Sequence, residues 1–384
     1  MLDRIRSRAI LAGVLLAVLV GAAPASSASP SPVAPVIGGP QLASRGVVVN
    51  YPSRSVPRLP DVQASAFVIS DAGTGQVLAA RDPHGWYRPA STLKVLTAVA
   101  LIPLLNPDAM VVASKQATST VPNVVGLVAG RAYQVSDLFT ALLTISANDA
   151  AIALTQAAGS FSEGMALINA EARHLQADDT VAVEPNGLDA PGQHTSAYDL
   201  ALIARQALKL PAFLRYDQTV SQRFVVARRK AVELYNQNSL LTTYPGAVGG
   251  KIGWTSAAGA TYVGMATRHG VTLIVTLLHC PALTEIDSAK KLLDWGFAAD
   301  GKVAPVGTLV GPLRPPSPSA SPSAAARPAR AAIGSGSHPD RVTSPSVLAA
   351  AGFSCAAVLV ALLGVAYGRR NGRTARSGPP RSGA

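Results

Sequence analysis

The stretch Ser91-Thr92-Leu93-Lys94 holds two residue types at a spacing that nucleophilic catalysis can use. On a helix, residues three apart lie on one face, so Lys94 would stand one turn from Ser91. A serine hydroxyl attacks poorly until a neighbour takes its proton. A lysine can take it only when neutral, which needs burial or nearby positive charge to lower its pKa. The same four residues also suit a serine capping a helix whose lysine is solvated, and this spacing alone does not separate the two readings. Other reactive types are less suggestive. His84 and His194 are read as structural, and Cys280 as a buried small hydrophobe closing the apolar run Val271 to Leu278. No His, Cys, Asp or Glu set has metal-ligand spacing, and no cofactor is expected. Gly249-Gly250 permits close backbone approach but is not a phosphate loop.

The elements that must position Ser91 follow from periodicity. Ala64 to Ser70 and Gln76 to Arg81 read as strands joined by the turn Asp71-Ala72-Gly73-Thr74-Gly75, a hairpin signal. From Ser91 to Leu105 the pattern is helical, with Leu93, Leu96, Val99, Ala100 and Leu101 able to bury one side. Helical spacing continues in Val135 to Ala157, Ser162 to Leu175 and Ala197 to Leu208. Late strands are expected at Val248 to Trp254, Ala260 to Arg268 and Val271 to Leu278, then an amphipathic helix from about Glu285 to Phe297. An early hairpin and late strands with helices between them imply an α+β fold. One antiparallel sheet is built from both ends of the core, flanked by helices, and the middle helices form a second subdomain.

Two further segments add to Ser91 and Lys94. Ser146-Ala147-Asn148 begins 55 residues after Ser91, and Lys251-Ile252-Gly253 begins 105 residues after Ser146. The set resembles Ser-x-x-Lys, Ser-x-Asn and Lys-Thr-Gly of penicillin-binding proteins and class A β-lactamases. A helix opening, a position after a helix and a late strand are the places the resemblance requires. The chain is more closely similar to actinobacterial D-Ala-D-Ala carboxypeptidases of low molecular mass. That likeness runs through Ala80 to His84, Arg88 to Ser91, Ser146 to Ala150, Asn186 to Asp189, Thr195 to Asp199 and Gly249 to Thr255.

The resemblance implies a β-lactamase/transpeptidase-like fold and a site in which Ser91 attacks the carbonyl between two terminal D-alanines of a peptidoglycan stem peptide. Lys94 would be the base, and Ser146 a proton relay near the leaving amine. Asn148 would hold substrate and Lys94, while Lys251 favours the substrate carboxylate and keeps Lys94 neutral. Gly253, Trp254 and Thr255 would border the substrate, with the backbone N–H groups of Ser91 and Trp254 as oxyanion hole. β-Lactams would be trapped on the same serine. Asp149 is read as a structural hydrogen-bonder. One departure stands out: Ile252 replaces the threonine whose hydroxyl helps bind the substrate carboxylate. Losing one charge-assisted hydrogen bond typically costs about 1.5–3 kcal/mol, so weakened activity is expected. A β-lactamase would need a deacylating carboxylate, for which Glu171, Glu184 and Glu233 are available. A non-catalytic wall-binding homologue is the other alternative, with Ile252 as its support.

The ends of the chain suggest where this chemistry operates. Residues 1–28 carry Arg4, Arg6 and Arg8 before an apolar stretch and small residues, the pattern of an export signal. Residues 29–60 read as a Pro/Ser-rich extension, 61–311 as the catalytic domain, and 312–346 as a Pro/Ala/Ser-rich linker that cannot bury a core. That linker could reach on the order of 100 Å. Residues 347–367 are uncharged and apolar, long enough for a transmembrane helix. The tail at 368–384 is basic without acidic residues, which places it in the cytoplasm and the catalytic domain outside. The formal charge of +12 belongs mostly to these flanks: between Asp61 and Val310 there are 18 basic and 19 acidic residues, a net of −1. Nucleic-acid binding, which needs a basic face on a folded domain, is therefore not expected. The two cysteines, Cys280 and Cys355, fall in the domain and the expected span, so no disulfide joins them in this reading.

Overall fold

The computed structural model describes residues 36–52 and 56–313. The expected signal, linker, transmembrane helix and tail lie outside the described residues, apart from the first positions of the linker. Within the described residues, no helix is long and apolar enough to cross a membrane.

The strands in chain order are β1 (Val47–Val48), β2 (Ala66–Asp71), β3 (Gln76–Arg81), β4 (Met110–Val112), β5 (Ala132–Gln134), β6 (Ser221–Ala227), β7 (Lys230–Tyr235), β8 (Ala247–Thr255), β9 (Gly259–Arg268), β10 (Val271–Cys280) and β11 (Gly307–Thr308). The helices are α1 (Leu93–Leu101), α2 (Lys115–Thr118), α3 (Val135–Thr144), α4 (Asn148–Ala157), α5 (Phe161–His174), α6 (Ala197–Ala207), α7 (Pro211–Asp217), α8 (Leu240–Thr243) and α9 (Glu285–Ala299). Seven strands make one antiparallel sheet in the order β1-β3-β2-β10-β9-β8, with β11 also on β3; β4–β5 and β6–β7 are separate hairpins.

The central strands β2, β9 and β10 bury apolar side chains on both faces because both faces of the sheet are covered. Successive residues point to opposite sides. Ala66, Val68, Val263, Met265, Ile274 and Leu278 join the core shared with α1, α3, α4, α5 and α6. Phe67, Ile69, Tyr262, Leu273, Val275 and Leu277 join the core under α9, from which Ala289, Leu292, Leu293 and Ala299 point inward. Arg205 of α6 ties three segments together, donating to the carbonyls of Ala72, Gly73 and Leu309 at 2.7, 3.1 and 3.0 Å.

The α+β architecture, the early hairpin, the late strands and the last helix agree with the sequence reading, and four local features differ. The expected helix across 135–157 is two helices, α3 and α4, because Ser146 takes φ +62° and breaks the hydrogen-bond ladder between them. The helix expected to start at Ser91 begins with a 3-10 turn, Ala90–Thr92, and α1 ends at Leu101, ahead of Pro103. A boundary at residue 61 leaves out packed chain: Val47 and Val48 pair with Arg81 and Ala80, and Leu42 is buried against the core. Helix α7 and hairpin β6–β7 were not anticipated.

Candidate active site

Ser91 sits in the 3-10 turn that feeds α1, at the mouth of a cleft of about 680 Å³ between β8 and the helical side. The turn is fixed from below. Thr92 Oγ1 and Thr261 Oγ1 both donate to the Pro89 carbonyl, at 2.6 and 2.8 Å. Two glycines make the fit possible. A Cβ on Gly253 of β8 would stand 2.7 Å from Ser91 N and 2.9 Å from Thr92 N. Gly187, at φ +80°, lies against the Ala90 carbonyl so closely that a Cβ there would overlap its oxygen.

Lys94 is fully buried beneath this turn. Its Nζ lies 2.8 Å from Ser91 Oγ, 2.8 Å from Asn148 Oδ1 and 2.6 Å from the Asn186 carbonyl oxygen. The two carbonyl-type oxygens can only accept. A neutral amine has two protons to give them, which leaves its lone pair for the serine hydroxyl. Burial holds Lys94 well below the ordinary lysine pKa, Lys251 pushes it lower, and Asp149 works against both. This is the protonation state that a lysine base needs.

Ser146 and Asn148 come from the break between α3 and α4. The left-handed backbone at Ser146 turns its hydroxyl into the cleft, where Oγ is buried and meets no protein partner. Asn148 accepts from Lys94, while its Nδ2 donates to the Val121 carbonyl at 3.2 Å. Asp149, buried next to it, accepts from the backbone N–H groups of Val125, Gly126 and Leu127 at 3.0, 2.8 and 2.9 Å. It thereby holds the loop that brings Pro122 and Asn123 to the cleft, which is a structural role.

Strand β8 forms the opposite wall. It is the outermost strand of the sheet, so part of its backbone lies free of partners. Gly253, Trp254 and Thr255 line the cleft, with Trp254 61 % exposed. Lys251 does not reach the surface: it is 1 % exposed, and its Nζ donates to the Ile252 carbonyl at 2.8 Å. Burial lowers its pKa to about 7, with Asp217 holding it up. Asp217, at the end of α7 and also buried, is itself raised to about 7 by burial, against the pull of the Gly250 N–H and of Lys251. Ile252 lines the cleft and packs toward the α9 side of the sheet.

All eight expected site residues are therefore brought to one cleft: Ser91, Ser146, Asn148, Gly253, Trp254 and Thr255 on its walls, Lys94 and Lys251 beneath. Two contributors were missed, Asp217 and Glu285, which reach the site only through tertiary packing with no local pattern to mark them; Asn186 lies in a segment that carries the resemblance, and packing adds its carbonyl as an acceptor for Lys94. The acidic residues on the cleft are Asp189, 3.5 Å from Arg88, and Glu285; Glu171, Glu184 and Glu233 do not line it. Among the described residues no His/Cys/Asp/Glu cluster could hold a metal.

Comparison with known proteins gives this constellation a family. The D-alanyl-D-alanine carboxypeptidase family matches residues 53–281. The chain is 39% identical over 264 residues to the D-alanyl-D-alanine carboxypeptidase DacB2 of Mycobacterium tuberculosis, spanning 67% of this chain and 90% of that protein. It is 32% identical to the D-alanyl-D-alanine carboxypeptidase DacD of Escherichia coli, across 62% of this chain and 64% of that one. Among solved structures, a D-alanyl-D-alanine carboxypeptidase from M. tuberculosis superposes with a TM-score of 0.63 at 38% identity, covering 68% of this chain and 99% of that one. A Streptomyces DD-transpeptidase mutant gives a TM-score of 0.60 at 27% identity, over 62% and 99% of the two chains. With a buried lysine at hydrogen-bond distance from a serine and a matching fold around them, the chain belongs to the D-alanyl-D-alanine carboxypeptidase family of serine peptidases.

Proposed function

We propose that this enzyme removes the terminal D-alanine from peptidoglycan stem peptides through an acyl-enzyme on Ser91. The observation that carries this reading is the Lys94 amine, fully buried, depressed in pKa and 2.8 Å from Ser91 Oγ. In the proposed path Lys94 takes the hydroxyl proton as Oγ bonds to the carbonyl carbon between the two D-alanines. The backbone N–H groups of Ser91 and Trp254 hold the oxyanion, a donor type worth about 10²–10³ in rate each. The C–N bond then breaks, and the leaving amine receives a proton through Ser146, whose unpartnered Oγ faces the cleft. Water hydrolyses the ester, releasing the shortened peptide and returning the proton to Ser91. Asn148 positions Lys94 and the substrate backbone.

β-Lactams would acylate the same serine. Labelling of the purified protein by a fluorescent penicillin, with Ser91→Ala as control, tests the reading. Equal labelling of both proteins, or none of the wild type, rejects it. We place the catalytic domain outside the cell, tethered by residues 347–367, on the strength of the apolar run and the arginines that follow it. Loss of membrane partition on truncation after residue 313 is the expected outcome.

A further inference from the structure

The cleft has two ends. Ser146, Gln237 and Ile252 line one of them, drawn together where the Gln237 N–H donates to the Thr144 carbonyl at 2.9 Å. Leu188 and Asp189 line the other, past the contact between Gly187 and the Ala90 carbonyl. With the leaving amine at Ser146, the acyl part of a substrate on Ser91 extends toward Leu188 and Asp189. The chain that leads into Ser91 passes this second end. Arg88 Nη1 lies 3.5 Å from Asp189 Oδ1, and Tyr87 exchanges backbone hydrogen bonds with Thr195 at 2.8 and 2.9 Å. In such an extended run, residues two apart share a side, so Trp86 follows Arg88 outward from the cleft, and both are exposed.

One exposed indole is ordinary on a protein surface. Trp86, 67 % exposed, differs in being fixed. Its Nε1 donates to Asp179 Oδ1 at 2.9 Å, and the other oxygen of that carboxylate is 2.7 Å from His84 Nδ1. One face of the indole stacks on His194, with ring centroids 4.2 Å apart and planes 19° from parallel. His194 is itself held, donating from Nδ1 to the Gly192 carbonyl at 2.8 Å and exchanging backbone hydrogen bonds with Val181. The exposed area therefore belongs to the opposite face, a flat apolar surface on a run that continues to the Arg88 guanidinium and the Asp189 carboxylate. A pyranose ring matches that arrangement. Its C–H face packs on the electron-rich face of the indole, and its hydroxyls can accept from an arginine and donate to a carboxylate. A platform that is rigid beforehand loses little freedom on binding. The two nearby carboxylates, Asp179 and Asp189, disfavour an anionic lipid surface as the occupant.

The spacing fits the substrate. Trp86 stands five residues before Ser91, an extended reach of at most about 17 Å. In a stem peptide roughly four residues separate the scissile bond from the sugar that carries it, about 14 Å when extended. We propose that Trp86, backed by His194, is a glycan platform that stacks on a pyranose ring of the strand bearing the stem peptide, so that the enzyme favours glycan-linked peptide over free peptide. The direction in which the sugar lies rests on the reading of Ser91 as nucleophile and of Ser146 as the leaving side.

The test does not require turnover. The full-length Ser91→Ala protein is titrated calorimetrically with one pentapeptide ending in D-Ala-D-Ala, either free or linked to its N-acetylglucosaminyl-N-acetylmuramoyl disaccharide. The linked ligand is expected to bind about tenfold tighter, the size of one aromatic stack with one hydrogen bond. Adding Trp86→Ala is expected to bring the two ligands within about twofold, whereas Trp86→Phe, which keeps a ring, retains most of the difference. Equal binding of the two ligands by the Ser91→Ala protein overturns the proposal, and so does a difference that survives Trp86→Ala. Should that variant fold poorly, magnetisation transfer from the Ser91→Ala protein to the peptide-free disaccharide decides. Transfer concentrated on the C–H protons of one ring face is expected, and its absence overturns the proposal. Penicillin labelling reads the nucleophile separately: an unlabelled wild type that still prefers the linked peptide rejects the acylating mechanism and keeps the platform, and a labelled enzyme indifferent to the sugar does the reverse.

Discussion

Lys251 lowers the pKa of Lys94, second only to burial, and is itself lowered to about 7 by burial and held up by Asp217. Lys251 thus works from beneath β8, less as a contact for substrate than as the charge that keeps the base free of its proton.

Lys251→Gln should therefore raise the Lys94 pKa, because removing a nearby positive charge favours the protonated amine. Acylation by a fluorescent penicillin, followed across pH, should show its acidic limb displaced upward by on the order of one pH unit. An acidic limb that stays in place would show that burial alone neutralises Lys94.

Gly187→Ala attacks the site from the other side. The residue would need φ +80° and its Cβ would overlap the Ala90 carbonyl. Left-handed strain alone costs about 1–3 kcal/mol, and the overlap must displace the Ser91 turn. We expect a lowered Tm and an acylation rate reduced by more than tenfold, measured on protein whose circular dichroism is unchanged.

Asp149→Asn should separate support from chemistry. A carboxamide has one acceptor oxygen where the carboxylate has two, so it cannot serve Val125 on Oδ1 together with Gly126 and Leu127 on Oδ2. Leaving a buried donor unmet costs about 1–3 kcal/mol. Denaturant unfolding should report a loss of that size, with KM rising more than kcat falls as the loop carrying Pro122 and Asn123 loosens.

Ile252→Thr should restore a hydroxyl to β8. For a substrate ending in carboxylate, kcat/KM should rise by about ten- to a hundredfold, the range of one hydrogen bond to a charge. Unchanged release of D-alanine would show that Ile252 does not limit the reaction. The loss of packing toward α9 should appear as a slightly lower Tm.

The legible and hidden parts of this molecule divide along a physical line. Ser91 and Lys94 could be paired from sequence because their geometry is local to one helical turn, and Lys251 could be placed because β8 follows a strand pattern. Helical periodicity ran straight through Ser146, since a single left-handed residue leaves the apolar spacing on either side intact. Val47–Val48 was hidden because two residues are too few to show alternation, and their strand exists only through the edge of β3. Asp217 and Glu285 carry no local mark at all; packing of α7 and α9 against the sheet brings them to the site. Asp149 was read as structural, and the backbone N–H groups of Val125, Gly126 and Leu127 that it holds bear that out.

The two short strands on β3 have a mechanical consequence. Val47–Val48 pairs along Arg81 and Ala80, and Gly307–Thr308 along Val77 and Gln76, so both ends of the outer edge of β3 are covered by chain from the two extremities of the described region. Strand β8 lies at the opposite margin, four strand spacings or about 19 Å away. A pull applied beyond Leu313 would first load the hydrogen bonds that tie residues 309–313 to His174, Gln176, Tyr198 and Arg205, then peel the two-residue β11, before reaching the eight-pair ladder of β8 and β9 that bears the cleft. This C-terminal clip would act as a fuse, yielding under load while the catalytic margin keeps its shape.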